Sequence, residues 1–443
     1  MSVHCLRTAR AALSLAPVIG DPAYPAFARS LAAVMTSRWP QVAAANAQDL
    51  AAGRERGLPE SWLHRMCLTE AHRDGTALLA ERVVAELAEL ARHREPTYRG
   101  AGGTVARRVA RPLGVLLMIY EARPTVTIDG AMLPACVGNA VLLRGGAEIA
   151  RTNAALADVI AEALARAGLP PGLVQVLPDL DRTALRELLL RDDAIDVLIP
   201  RGSPSLLDAC RSLSRIPMIV GGDGVNHMYV HAAADLPLAV RLLLDGKLPE
   251  PDGCTALEMV LLDSAIAGDF LELLAARAAD PGLESLVLRV GADLLERLPA
   301  ALTERLTVEP LTEADLGREF LCPTLAVASV AGPDAAITHV VRYGTGHTDA
   351  IVTQDEQVAE EFCRKVDSAA VIVNGSVRLH DGPTLGLGTE IVISTGRLHA
   401  RGPVTAGALM TYGWRVDGHG AVRFGDEAAG ARDEGKYSRA ERG

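Results

Sequence analysis

Aromatic residues make up only 3% of this 443-residue chain. Its core must therefore be built from Leu, Val, Ile and Ala, a composition that suits layered α/β packing. The seven cysteines are scattered, odd in number and contain no CxxC pair. That pattern argues against a disulfide framework and against a zinc site, so no metal is expected. Positive charge is in deficit, with 44 Lys and Arg against 55 Asp and Glu and a formal net charge of -11. Neither nucleic acid nor an anionic membrane is then an expected partner, although a local basic pocket can still take a small anion. No apolar run reaches the ~18 residues that a membrane span requires. The opening MSVHCLRTARAALSLAPVIG has no long apolar stretch with a small-residue cleavage site, so the expected location is a reducing cytoplasm. No GxGxxG follows a strand-like run, which removes the standard dinucleotide fingerprint.

What is present reads as tandem α/β units. The first ~95 residues carry helical periodicity, with Leu79, Val83, Leu87 and Leu90 on one face. After the glycine-rich YRGAGG, the alternating basic segment VARRVARPLG reads as an exposed hairpin near 104–113. Then GVLLMIY, NAVLLRGG, LVQVLPD, IDVLIPRG and HMYV follow as short apolar runs separated by helical stretches. The cadence resumes with LEMVLLD, SLVLRV, TLAVASV, DAIVT and AAVIVN. Strand–helix–strand repetition predicts βαβ units and two parallel sheets. The expected division is a first α/β unit over 1–233 and a second over 234–408. A further strand region is expected over 409–425, and a disordered tail over 426–443.

Within EPDGCTALE, Cys254 follows Gly253 on a small-residue turn and precedes Thr255 and Ala256. Such a turn leaves room above the sulfur and lets the residue's own backbone N–H help to hold an oxyanion. The same features also fit a thiol that merely fills space. Cys5, Cys136, Cys210, Cys322 and Cys363 read as core or surface residues, since free cysteine usually behaves as a small hydrophobe.

Several further stretches bear on that choice: YEARPTVTIDGAMLPACVGNAVLLRGG, IPRGSPSL, DGVNHMYV, RYGTGHTDAIVT, VDSAAVIVNGSVR and, most distinctively, GLGTEIVISTGRLHARGP. In order and spacing, over about residues 8–425, they resemble the gamma-glutamyl phosphate reductase family, a branch of the aldehyde dehydrogenase superfamily. The resemblance implies an aldehyde dehydrogenase-like fold with two parallel-sheet α/β domains, cofactor-binding over 1–233 and catalytic over 234–408, and a small oligomerisation hairpin near 104–113 that joins subunits with the strand region over 409–425. It implies that Cys254 attacks an acyl phosphate, that NADPH supplies hydride, and that the product is glutamate 5-semialdehyde, in proline biosynthesis. For the cofactor it implies Arg144, Gly145 and Gly146, then Arg201, Gly202 and Ser203, and Glu319 at the nicotinamide ribose. For the substrate it implies Glu121, Arg123, Lys247, Asn374, Arg378, His399 and Arg401, with His347 as a further landmark. A homodimer or homotetramer is expected, and glutamate 5-kinase is a candidate partner.

The chain also departs from the family pattern. Thr255 stands where asparagine usually follows the nucleophile, and Thr125 where EARPTVT usually has asparagine. KLPEPDGC replaces the common KTQRPGVC, so Glu250 and Asp252 bring negative charge ahead of Cys254. Two alternatives therefore stand beside the main reading: a paralogue reducing a related acyl phosphate, and a non-catalytic partner of the kinase. An oxidative aldehyde dehydrogenase fits less well, because MIVGGDG has Ile219 and Val220 where a water-activating carboxylate would precede the glycine pair.

Overall fold

A computed structural model describes residues 2–92, 96–100, 103–178 and 182–422. Five helices come first: α1 (Ser2–Leu15), α2 (Ala23–Ser37), α3 (Trp39–Glu55), α4 (Glu60–Met66) and α5 (Glu70–Arg92). Their apolar faces drive the packing: in α2, Tyr24, Phe27, Ala28, Leu31, Val34 and Met35 recur at helical spacing and are buried. Strands β1 (Thr97–Arg99), β2 (Val105–Pro112) and β3 (Val115–Tyr120) follow, then α6 (Pro124–Cys136), β4 (Ala140–Gly145), α7 (Ala150–Ala167) and β5 (Val174–Val176). The first unit continues through α8 (Arg182–Leu189), β6 (Val197–Arg201) and α9 (Pro204–Leu213). Helix α7 stops where Gly168 adopts φ of 69°, a left-handed cap suited to glycine.

The second unit runs through β7 (Asn226–Val230), α10 (Leu236–Lys247), β8 (Leu257–Asp263), α11 (Ala267–Ala276), β9 (Val287–Val290), α12 (Ala292–Leu295), α13 (Ala300–Arg305) and β10 (Thr307–Pro310). After these come β11 (Thr324–Val330), α14 (Pro333–Tyr343), β12 (Thr348–Val352), α15 (Glu356–Lys365) and β13 (Ala370–Val373). Two short strands, β14 (Ile393–Ser394) and β15 (Gly402–Pro403), precede β16 (Met410–Asp417).

The strands form two parallel sheets, ordered β5-β4-β3-β6 and β10-β9-β11-β8-β7-β12-β13. Strand β3 is buried along its whole length, which explains why VLLMIY is an unbroken apolar run. In β8, Met259 and Leu261 face one core while Val260 and Leu262 face another, so helices cover both sides of the larger sheet. The two parallel sheets match the α/β class expected from the strand–helix–strand cadence.

Two boundaries and one strand pairing differ from the sequence expectation. Strand β7 pairs with β8 and β12, so the crossover between sheets falls ahead of Asn226 rather than at residue 233. Ile391, Val392, Ala400, Val404, Ala406 and Leu409 return to the first core, so the stretch up to 408 does not belong wholly to the second unit. Strands β2 and β16 pair with each other within one chain, antiparallel over eight positions from Met410↔Pro112 to Asp417↔Val105. The expected disordered tail, 426–443, lies outside the described residues. Among the described residues, no helix is long and apolar enough to cross a membrane.

Candidate active site

Cys254 lies in the turn between α10 and β8, at the N-terminal edge of the larger sheet. Gly253 N–H donates to the Glu250 carbonyl at 3.1 Å, and Ala256 N–H to the Gly253 carbonyl at 2.9 Å. The buried Asn226 amide then pins the turn from β7, donating to the carbonyls of Cys254 at 2.9 Å and Ala256 at 2.6 Å. Its Oδ1 accepts from Thr348 N–H of β12 at 3.2 Å. Gly224 completes the support: a Cβ there would sit 1.8 Å from the Cys254 carbonyl oxygen, so only glycine permits this approach.

A cavity of ≈ 140 Å³ opens beside the thiol, lined by Met118, Val126, Asp129, Arg201, Cys254, Glu390 and Ile391–Ile393. Cys254 itself is exposed at its mouth. Crowding around the sulfur is nonetheless the largest influence on the thiol and raises its pKa. Arg201 opposes this, Glu319 adds to it, and Arg123 and the residue's own backbone N–H oppose it again. Desolvation likewise pushes Asp129 up to about 6, against the pull of Arg201 and with the help of Glu390. Glu390 is also raised by burial, partly offset by the Gly382 N–H that its carboxylate accepts at 2.8 Å.

Arg201 was expected at the cofactor. Its guanidinium instead lines the cavity and donates to the Ile391 carbonyl. Arg123, at the start of α6, has its pKa lowered by burial and by the Arg201 and Arg65 guanidiniums, against the pull of Asp252 and Cys254. Ala122 beside it has φ of 48°, an uncommon backbone state for a residue with a Cβ.

Of the remaining expected cofactor residues, Arg144, Gly145, Gly146, Gly202 and Ser203 lie at the C-terminal ends of β4 and β6, where ligands gather on open parallel sheets, whereas Glu319 lies apart, in the loop before β11. Arg144 and Gly145 end β4, and Gly146 follows. A Cβ on Gly145 would strike Asn153 Nδ2 at 2.1 Å, and one on Gly146 would strike Glu148 Oε1 at 2.1 Å. Glu121 accepts from Ser203 N–H at 2.8 Å, and a Cβ on Gly202 would meet Glu121 Oε2 at 2.5 Å. Glu121, expected at the substrate, thus braces the Gly202–Ser203 loop. Ser203 caps α9, whose N-terminus faces this edge. Glu319 accepts from Gly224 N–H at 2.8 Å, and burial raises its pKa.

Other expected substrate residues are engaged elsewhere. Lys247 is fully buried and ion-paired with Glu258 at 2.7 Å, so it offers no ammonium to a phosphate in the cavity. Asn374 bonds the backbone of Thr353 in both directions, at 2.9 and 2.8 Å, which ties β13 to β12. His399 bonds the Ala408 carbonyl at 2.8 Å, and Arg401 clamps Asp367 at 2.6 Å. Arg378 pairs with Glu250. His347 is buried against Thr348 Oγ1 at 2.7 Å, and desolvation pushes it down to about 4, so it stays neutral. Sequence reading missed Asp129, Glu390, Asn226 and Gly224. Asp129 did carry a signal, as the lone charge in the otherwise apolar helix PTVTIDGAMLPAC. Among the described residues no cluster could hold a metal ion.

Two parallel α/β sheets with a cysteine turn at their junction define a protein of the aldehyde dehydrogenase class. The aldehyde dehydrogenase family model matches residues 66–286. The gamma-glutamyl phosphate reductase of Roseiflexus castenholzii is 44% identical over 383 residues, covering 86% of this chain and 89% of that protein. That of Symbiobacterium thermophilum is 43% identical over 430 residues, covering 94% and 98%. The crystal structure of gamma-glutamyl phosphate reductase from Thermotoga maritima superposes with a TM-score of 0.86 at 30% identity, covering 95% of this chain and 99% of that one. The chain belongs to the gamma-glutamyl phosphate reductase family.

Proposed function

We propose that this protein reduces L-glutamyl 5-phosphate to L-glutamate 5-semialdehyde and phosphate with NADPH, through a thioester on Cys254. The observation that carries the reading is the Cys254 thiol at the mouth of a cavity shared with Arg201, with Arg123 beside it. The thiolate attacks the acyl carbon, the bond from that carbon to the bridging phosphate oxygen breaks, and phosphate leaves with the bonding pair. Arg201 and Arg123 stabilise negative charge on the carbonyl oxygen and on the departing phosphate. Collapse of the later thiohemiacetal breaks the C–S bond and frees the aldehyde.

The residues present fit a dinucleotide. The N-terminus of α9 suits a phosphate group, Arg144 suits a 2′-phosphate, and Glu319 suits a ribose. When bound there, the cofactor supplies the hydride that reduces the thioester. Asn226 and Gly224 keep the nucleophile turn fixed meanwhile.

The working form we propose is a homodimer or homotetramer in the cytoplasm, where seven free cysteines stay reduced. Exposed Tyr412, Trp414 and Val416 on the edge strand β16 support self-association. Because the acyl phosphate is labile, a kinase that makes it, glutamate 5-kinase, is the proposed partner.

The test is the reverse reaction. Glutamate 5-semialdehyde, phosphate and NADP⁺ are mixed with the protein, and reduced cofactor is followed by absorbance. A phosphate-dependent signal absent from Cys254→Ala is expected. No signal despite a thiol that reacts with iodoacetamide faster than the other six would direct attention to another acyl group.

A further inference from the structure

The cavity beside Cys254 holds three charged side chains that do not cancel. Arg201 donates to the Ile391 carbonyl, and Glu390 accepts from Gly382 N–H at 2.8 Å. Asp129 accepts no hydrogen bond and forms no ion pair among the described residues, although Arg201 and Glu390 both act on it through space. It projects from α6, whose neighbouring Val126, Ile128, Met132 and Leu133 are buried. The Asp129 side chain is half-buried and opens on the cavity, where a cation can meet it. Two carboxylates against one guanidinium leave one negative charge over, which complements a single cation. Met118, Val126 and Ile391–Ile393 supply apolar walls between that charge and the thiol, suited to a short methylene chain.

We propose that Asp129, with Glu390 beside it, binds the α-ammonium of an amino-acid acyl phosphate and so selects it over acyl phosphates that lack the amine. This rests on the reading under Proposed function and goes on to name the residue that sets specificity. A substrate without the ammonium would close the cavity over an unpaired carboxylate, the situation in which polar sites reject analogues most strongly.

Two measurements on the full chain decide it. In the reverse reaction, kcat/KM is compared for glutamate 5-semialdehyde and for 5-oxopentanoate, the same aldehyde without the amine. Asp129→Asn should lower the ratio of the two roughly 10–100-fold, the usual loss for a charge-assisted hydrogen bond. Glu390→Gln should lower it less. Cyclisation of the amino aldehyde cancels, because each variant meets the same solution. A merely structural role would depress both substrates alike and leave the ratio unmoved, which overturns the proposal.

The second measurement needs no turnover. Alkylation of Cys254 by iodoacetamide is timed with L-glutamate or glutarate as protectant. The native chain should be protected better by L-glutamate, and Asp129→Asn should lose that preference. No preference in the native chain, or one that survives the substitution, overturns the proposal. If neither aldehyde turns over, the reductase reading falls by itself and the protection experiment still decides the role of Asp129.

Discussion

Arg378 is held by Glu250 twice: one guanidinium nitrogen donates to the Glu250 backbone carbonyl at 3.2 Å and another pairs with its carboxylate. The same guanidinium packs on the turn before the nucleophile, since a Cβ on Gly253 would lie 3.1 Å from Arg378 Nη1. The unusual acidic residue of this chain is therefore aimed at a cation and not at the cavity. With its side chain 63% exposed, the pair contributes little to folding. Its effect is on charge: Glu250 offsets the Arg378 guanidinium that packs on the nucleophile turn.

Glu250→Gln should thus change unfolding free energy by less than about 1 kcal/mol. It should also lower KM for phosphate in the reverse reaction, by about threefold to tenfold at low salt, with the gain fading as ionic strength rises. Measuring KM for phosphate at two salt concentrations checks this. An unchanged KM at low salt would mean that Arg378 does not act on the anion at all.

Lys247 and Glu258 form a pair with no measurable exposure. Burial raises the Glu258 pKa to about 7, with Lys247 as the main opposing influence. Lys247→Met removes that opposition and leaves a buried carboxyl without its cation. A loss of about 3–5 kcal/mol is expected, read from denaturant unfolding. Lys247→Met combined with Glu258→Leu should recover most of it, because both desolvated charges are then gone. A single variant of native stability would remove the structural account of Lys247.

How much of this was legible beforehand varies with the kind of signal. The apolar run VLLMIY announces β3 because a strand buried on both faces must be apolar at every position. HMYV announces a strand as well, yet nothing in it tells which sheet it joins, since that depends on pairing with β8 and β12. The small-residue turn around Cys254 was visible. The asparagine that fixes it was not, because Asn226 lies 28 residues away and meets it only in three dimensions. Lys247 reads as an ordinary basic helix end, and its burial is set by Glu258 on the next strand. Arg201 follows a strand as a phosphate-side residue would, but its guanidinium donates to the Ile391 carbonyl, a partner it meets only in three dimensions.

Gly224→Ala offers a sharp test of the nucleophile's support. The added Cβ would overlap the Cys254 carbonyl oxygen, which is backbone and cannot rotate away. Either the 222–226 segment or the cysteine turn must move, and the bond from Asn226 to the Cys254 carbonyl is the first to be lost. A displacement of about 1 Å at a reacting centre costs about 100-fold in rate, so kcat should fall by that order while the rest of the fold survives. Near-native kcat in a folded Gly224→Ala protein would show that the turn is not held where the geometry has it.

The charges around Cys254 make opposite predictions for two substitutions. The thiol pKa is raised by desolvation, lowered by Arg201, raised by Glu319 and lowered by Arg123. A cation favours the thiolate and an anion disfavours it, so the two variants must move in opposite directions. Arg201→Met should shift the pH midpoint of iodoacetamide alkylation upward and slow alkylation at neutral pH. Glu319→Gln should shift the midpoint downward and speed it. Because the thiolate is the reactive form, each rate should converge on the native rate once pH exceeds every midpoint. The measurement is alkylation rate against pH for the native chain and the two variants, with Cys254→Ala as background. Shifts in the same direction would mean that the substitutions act through packing around the sulfur and not through their charges.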